Sequence, residues 1–199
     1  MQLDFQGIAV CHRLTLKPFD SMTDIDLIRA AQSGDAQAFE QLLQRYYDTI
    51  FRFALKWCGV VPDAEDIAQQ VCIKLGRNLG QFRFESAFSS WLYRMVINTA
   101  KDWHTANRRH QSAQAEAEVE DVEAKEVPQA ASGESLIMLR QLLAKAETWG
   151  EGFRETLLLV NGEGLTHAEA AEVLGVKEST ISWRLYEIRK HLLQLQSEG

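Results

Sequence analysis

The stretch Leu165–Leu192, LTHAEAAEVLGVKESTISWRLYEIRKHL, predicts two short helices joined by a tight turn. Thr166 and Glu169 form a capping-box pair that starts the first helix. Gly175 supplies the turn, because glycine adopts a left-handed backbone at little cost. A second helix follows from about Glu178. Such a helix-turn-helix fits the DNA major groove, although a helical hairpin that serves stability alone has the same pattern.

The second of these helices is predicted to have two distinct faces, since residues three and four apart share a side of a helix. Its apolar face contains Ile181, Leu185, Ile188 and Leu192. The opposite face contains Ser179, Trp183, Tyr186 and Lys190, flanked by Thr180, Ser182 and Glu187. The first face is expected to pack inward, which leaves the second face available for a partner.

Upstream, residues 23–106 have apolar side chains at helical spacing throughout, and no strand pattern is present. Gly34 ends a short first helix, and Asp35 is positioned to cap the second. Gly59 and Pro62 separate the second helix from a third. The chain is therefore predicted to be all-α.

The third helix is expected to be capped by Asp63, and a long fourth helix is expected from about Ser86 to Asn107. On the fourth helix, the side chains expected in the core include Phe88, Trp91 and Trp103. A basic and polar stripe contains Arg94, Asn98, Lys101, Thr105 and Arg108. A basic face beside an aromatic loop suits single-stranded DNA, where phosphate charge and base stacking provide affinity.

The net charge of −7 is unevenly distributed along the chain. Four segments are predicted: an extension without stable structure (1–21), a helical domain (22–112), a flexible acidic linker (113–135) and a second helical domain (136–199). Their net charges are 0, +1, −6 and −2. Because the linker holds most of the negative charge, the acidic balance of the whole chain does not exclude nucleic-acid binding.

Composition makes an enzyme, a metal protein or a membrane protein the least favoured interpretation. No apolar run approaches the ~20 residues of a membrane span, and no signal peptide is evident, so a cytoplasmic location is expected. The three cysteines form no disulfide framework or zinc spacing, and Cys58 and Cys72 are expected to be buried thiols. The histidines show no ligand spacing, and no cofactor or metal is expected. They are His12, His104, His110, His167 and His191.

Four motifs in this order resemble the extracytoplasmic-function group of bacterial RNA polymerase sigma factors. They are LIRAAQSGDAQAFEQLLQRYY (27–47), DAEDIAQQV (63–71), ESAFSSWLYRMVINTAKDW (85–103) and STISWRLYEIRKHL (179–192). The resemblance covers about residues 24–112 and 136–193. It implies that the first domain binds polymerase and opens the −10 element, and that the second reads the −35 element as duplex.

The resemblance also implies roles for individual residues. The residues that would bind polymerase are Asp63, Glu65, Asp66, Gln69, Gln70 and Lys74. A loop of Arg83, Phe84, Glu85 and Ser86 would capture a flipped −10 base. The −10 strand would also contact Arg94, Asn98, Lys101, His104, Arg108 and Arg109. The residues that would contact the major groove of the −35 element are Lys177, Ser179, Thr180, Ser182, Trp183, Arg184, Tyr186, Glu187 and Lys190.

The partners implied are core RNA polymerase, promoter DNA and an anti-sigma factor linked to the inner membrane. The chain itself would be a monomer within the holoenzyme and would not be inserted in the membrane. The acidic linker would occupy the RNA path in the polymerase. Two alternatives remain open at this point: a sigma mimic that titrates an anti-sigma factor, and a plain helix-turn-helix regulator. The chain departs from the family pattern at Trp183 and Glu187, and residues 148–153 lack the usual proline.

Overall fold

In the computed structural model, residues 22–114 and 133–197 are described, and the regular elements among them are all helical. They are α1 (Asp24–Gln32), α2 (Ala36–Cys58), α3 (Val61–Asn78), a 3-10 turn (Leu79–Gln81), α4 (Phe88–Gln114), α5 (Gly133–Trp149), α6 (Phe153–Leu157), a π-helical turn (Leu158–Gly162), α7 (His167–Leu174) and α8 (Glu178–Ser197). The predicted all-α class is confirmed. The expected extension 1–21 and most of the expected linker 113–135 lie outside the described residues.

Local sequence sets the starts of the first two helices. Thr23 caps α1 in a capping box with Asp26, whose carboxylate accepts from the Thr23 backbone at 3.2 Å. Asp35 caps α2 as predicted, because its Oδ1 accepts from the backbone nitrogens of Gln37 at 2.9 Å and Ala38 at 3.1 Å. Each cap satisfies amide groups that the helix itself leaves unpaired.

Two helix boundaries differ from the sequence prediction. Helix α3 begins at Val61, so Asp63 lies in its first turn and is not the cap; Pro62 occupies the first turn, where its missing N–H costs nothing. Helix α4 begins at Phe88, two residues after the expected start, and the loop before it holds Phe84 at a positive φ of 60°. It continues to Gln114 because no glycine or proline interrupts it.

Helices α1 to α4 enclose a core of large aliphatic and aromatic side chains. Its fully buried members include Leu27, Leu42, Ile50, Phe53, Ile67 and Leu75. Phe88 and Cys72 are buried as predicted, but Trp91 and Trp103 are only half-buried, and so is Cys58. The difference at Cys58 follows from its position in the last turn of α2, beside the left-handed Gly59.

Helices α5 to α8 bury Leu143, Leu158, Leu159 and Ile181, and these side chains form one continuous hydrophobic cluster with those of α1 to α4. The turn before α6, which lacks the usual proline, is built from glycines: φ is 141° at Gly150 and 80° at Gly152. These angles lie where a side chain would strain the backbone. Two left-handed glycines thus make the turn between α5 and α6.

No helix within the described ranges is both long and apolar enough to cross a membrane.

The capping box of α7 provides a test of this fold. Replacing Thr166 by alanine removes the side-chain acceptor of the Glu169 amide, so the free energy of unfolding should fall by about 1 kcal/mol. Thr105→Ala is the matched control, since Thr105 lies inside α4 and its hydroxyl donates to the Lys101 carbonyl one turn earlier, which is not a capping bond. Urea unfolding measures both variants, and equal stability of the two would contradict the capping role.

Candidate nucleic-acid interface

The helix-turn-helix is formed by α7, a turn at Gly175 and α8. The Thr166 amide donates to Glu169 Oε2 at 2.8 Å, and hydrogen bonds from Thr166 lower the pKa of the Glu169 carboxyl. Gly175 has a φ of 65°, as the turn requires. The predicted capping box and turn are confirmed, and they fix the angle at which α8 leaves α7.

The polar-aromatic face of α8 is largely open to solvent. Trp183 is 54% exposed and Tyr186 is 66% exposed, while Ile181 and Ile188 on the opposite face are buried. Of the predicted −35 residues, those that are exposed are Lys177, Ser179, Ser182, Trp183, Tyr186 and Lys190. Those that are partly buried are Thr180, Arg184 and Glu187.

Several side chains of this face also have structural contacts. Trp183 meets Phe153 edge to face, with ring centroids 5.6 Å apart. The Arg184 guanidinium lies against Gly152, where a Cβ would approach it to 2.3 Å. Trp183 therefore serves packing as well as the surface, which accounts for an aromatic residue at a position where the sequence departs from the family pattern.

The loop between the 3-10 turn and α4 contains the predicted base-capturing residues. Arg83, Phe84 and Glu85 are exposed, and Ser86 is half-buried. The loop follows Phe82, which is buried among Phe88 and Trp91, each with its ring centroid 5.4 Å from that of Phe82. The four loop residues are thus supported by one packed cluster of aromatic side chains.

The predicted basic stripe on α4 is present. Part of it is covered by helices α5 to α8, the second half of the chain, which pack against the first half, α1 to α4. Arg94 donates from Nε to the Val173 carbonyl at 3.0 Å and from Nη2 to the Glu172 carbonyl at 2.5 Å. Lys101 Nζ lies 2.6 Å from an oxygen of Glu155, which is buried. The Glu172 and Val173 carbonyls that Arg94 contacts belong to the end of α7, so α4 contacts the helix-turn-helix directly.

Two more carboxylates of the second half reach the first half. Glu163 accepts from Lys56 Nζ at 2.7 Å and from the Tyr93 hydroxyl at 3.0 Å. Glu172 accepts from the Ser90 hydroxyl at 3.0 Å. Together with Glu155, these side chains form an acidic surface that opposes α4 and the end of α2.

A cation–π contact completes the boundary between the halves. The Arg154 guanidinium lies 4.3 Å from the ring centroid of Trp57, and its Nη2 donates to the Trp57 carbonyl at 2.7 Å. Glu147 accepts from Arg154 Nη1 at 2.8 Å. Because the Trp57 ring is buried, this contact is desolvated and stronger than an exposed one.

Helix α3 presents its polar side away from the hydrophobic core. Glu65, Asp66, Gln69 and Gln70 are exposed, and Asp63 is half-buried. Lys74 lies 3.2 Å from Asp102 on α4. The structure therefore brings the predicted polymerase-binding residues onto one surface, with Lys74 at its edge.

The remaining candidates lie further along α4. Thr105 is exposed and His104 is half-buried, while the side chains of Arg108 and Arg109 lie outside those that the structure describes. Within the described residues, no cluster of three or more His, Cys, Asp or Glu side chains could hold a metal ion.

Sequence reasoning missed the residues that join the halves: Lys56, Trp57, Arg154, Glu155, Glu163 and Glu172. One signal was available. Glu155 lies just before the apolar run Leu157–Val160, and a buried carboxylate requires a partner. The identity of that partner, Lys101, depends on tertiary contact and is not encoded in local spacing.

Two family models match separate parts of the chain. The sequence model of Sigma-70 region 2 matches residues 42–110, and that of Sigma-70, region 4 matches residues 154–192. The RNA polymerase sigma-H factor of Pseudomonas aeruginosa is 31% identical over 175 residues, covering 84% of this chain and 90% of that protein. The ECF RNA polymerase sigma-E factor of Escherichia coli K12 is 32% identical over 183 residues, covering 86% and 93%.

Solved structures share the fold. CnrH in complex with the cytosolic domain of CnrY has a TM-score of 0.62 and 24% identity, covering 87% of this chain and 96% of that one. The sigma factor RpoE in complex with the anti-sigma factor NepR, from Bartonella quintana, has a TM-score of 0.59 and 21% identity, covering 81% and 98%.

The boundary between the halves gives a pH prediction. Burial, and then the negative charge of Glu163, raise the pKa of the Tyr93 hydroxyl above its usual value. A raised folded-state pKa means that the neutral tyrosine stabilises the fold below about pH 10, and that this stability is lost as pH rises further. The free energy of unfolding should therefore fall between pH 9 and pH 11.

Tyr93→Phe removes this titrating group, so the variant should lose less stability than the wild-type chain over the same pH interval. Urea unfolding at the two pH values measures the difference. Tyr46→Phe serves as a second probe, because burial and a hydrogen bond to Asp24 raise the pKa of the Tyr46 hydroxyl in the same direction. Parallel losses in all three proteins would contradict the assignment.

Proposed function

Because the chain belongs to the ECF group of sigma-70-family RNA polymerase sigma factors, we propose that it binds core RNA polymerase and directs initiation at promoters through the −10 and −35 elements. The observation that supports this most is the order of surfaces. An exposed polar face on α3, the loop before α4 and the open face of α8 occur in that order along the chain.

Docking on polymerase is assigned to the exposed face of α3. Glu65, Asp66, Gln69 and Gln70 lie on one side of this helix, away from its buried residues such as Ile67 and Val71. A face without apolar side chains suits a polar partner helix, and its carboxylates favour a basic one.

Capture of the −10 element is assigned to the loop Arg83–Ser86 and the polar face of α4. Arg94 and Lys101 hold backbone phosphates, and Asn98 lies between them on the same exposed side. In the described conformation Arg94 and Lys101 contact the second half, so DNA binding exchanges the Glu155 carboxylate and the Glu172 and Val173 carbonyls for phosphate oxygens. The two halves must separate for this exchange.

Reading of the −35 element is assigned to α8. Its exposed Ser179, Ser182 and Tyr186 enter the major groove, and Lys190 meets a phosphate at the rim. Glu187, whose carboxylate lies 3.7 Å from Lys190 Nζ, accepts a hydrogen bond from a cytosine amino group. A helix that recognises duplex DNA through the major groove needs only one exposed face.

Energetics favour a specificity subunit over an independent melting protein. Opening each base-pair step costs about 1.4 kcal/mol, and stacking one base on an aromatic ring returns roughly 1–3 kcal/mol. One captured base does not offset a whole transcription bubble. The polymerase supplies the remainder, and this chain selects where the bubble begins.

Control by an anti-sigma factor linked to the inner membrane, with this chain in the cytoplasm, belongs to the same proposal. The sigma factor RpoE of Bartonella quintana, which shares this fold, was solved with the anti-sigma factor NepR, and binding such a partner would compete with polymerase and DNA for the same surfaces. The sigma-mimic alternative differs in one respect: such a protein would bind the anti-sigma factor without directing transcription.

Run-off transcription with core polymerase on a pool of genomic promoters tests the function. Promoter-specific transcripts that require the chain are expected, and their upstream sequences will define both elements. Core binding without any transcript would contradict promoter recognition and favour the mimic. DNA binding without core binding would favour the plain helix-turn-helix regulator.

The α3 face gives a separate prediction. The triple variant Glu65→Ala, Asp66→Ala and Gln69→Ala should weaken binding to core polymerase at least tenfold, because three exposed polar contacts are removed without touching the core. Glu40→Ala, an exposed acid on α2, is the charge control. Fluorescence anisotropy of labelled protein measures both, and unchanged affinity of the triple variant would remove α3 from the docking surface.

A further inference from the structure

The loop before α4 contains one residue in an unfavourable backbone conformation. Phe84 has a φ of 60°, and in the described part of the chain it is the only residue other than glycine with a positive φ. A side chain with a Cβ pays a cost in this region, whereas glycine does not. The fold alone therefore favours glycine at this position, and the aromatic ring needs another explanation.

Two contacts to the ring hold Phe84 in place, and two hydrogen bonds fix the backbone that precedes it. The ring of Phe82 meets it edge to face at 5.0 Å between centroids, and the guanidinium of Arg29 lies 5.3 Å from its centroid. Gln32 donates from its side-chain amide to the carbonyls of Leu79 and Phe82, each at 2.9 Å. Arg29 and Gln32 lie one turn apart on α1, so the first helix anchors the loop.

These contacts do not bury the ring. Phe84 remains 37% exposed, whereas Phe82 and Phe88 in the same aromatic cluster are buried. Arg29 and Arg83 are both exposed beside it. A fixed, accessible aromatic ring flanked by two cations matches what an unpaired nucleotide needs: a surface for its base and positive charge for its phosphates.

We infer that Phe84 is a preformed stacking surface for an unpaired base of the −10 strand, and that Arg29 and Gln32 on α1 are the residues that position it. This assignment rests on the proposed function and specifies how the loop holds a base. Arg29 orients the ring through its cation–π contact, and Gln32 fixes the backbone at the first residue of the 3-10 turn and at Phe82 just after it. The strained conformation is kept because it directs the ring outward.

The test uses holoenzyme and a forked promoter fragment, duplex through the −35 element and single-stranded across the −10 element, taken from a start site found by run-off transcription. A 2-aminopurine at each single-stranded position in turn reports stacking by loss of fluorescence. Wild-type holoenzyme is expected to quench one position strongly. Phe84→Leu should abolish that quenching and weaken binding about tenfold, while Phe84→Tyr should retain both.

Phe84→Gly keeps the test independent of folding, because glycine relieves the backbone strain. This variant should retain the thermal unfolding midpoint of the wild-type chain and lose the quenching. Arg29→Ala should weaken binding several-fold in the wild-type background, with a smaller effect in the Phe84→Leu background, since its positioning role requires the ring. Arg52→Gln is the charge control: Arg52 is an exposed arginine on α2 paired with Asp48.

Unchanged affinity and unchanged quenching in Phe84→Leu and Phe84→Gly would overturn this assignment while leaving the proposed function intact. Equal effects of Arg29→Ala in both backgrounds would overturn the positioning role of Arg29. Failure of the wild-type holoenzyme to bind the forked fragment would overturn the proposed function, and the assignment with it.

Discussion

The rest of the structure depends on the contact between three glutamates of the second half and the polar face of the first. Glu155 meets Lys101, Glu163 bridges Lys56 and Tyr93, and Glu172 meets Ser90. These contacts set the position of the helix-turn-helix relative to α4. Beside them, the Arg154 guanidinium lies on the buried ring of Trp57.

An interface of this composition can exchange partners. The Glu155 and Glu163 carboxylates are largely buried in their pairs with lysine, but separation of the halves returns them to water, which offsets much of the lost attraction. Lys101 is partly exposed in its pair with Glu155, and Arg94 is bound by main-chain carbonyls. Phosphate oxygens offer both side chains equivalent or stronger acceptors. The polar face of α4 can therefore serve the second half in the free chain and DNA in the initiation complex.

Much of this structure was predictable from the sequence because it is encoded locally. Apolar spacing gave the helices, and Thr166, Glu169 and Gly175 gave the helix-turn-helix. The error at α3 arose because an aspartate in a first turn looks like a cap when proline precedes it. The contacts of Arg94, Lys101 and Phe84 were not predictable, because they join residues 54 to 79 positions apart in the chain.

The two halves are closed in the free chain and separate on the promoter. Spin labels at Gln37 on α2 and Ala168 on α7, both exposed, report this most directly in a chain whose native cysteines are replaced by alanine. Double electron–electron resonance should give one narrow distance for the free protein and a longer one with core polymerase and promoter DNA. The same distance in both states would contradict the account.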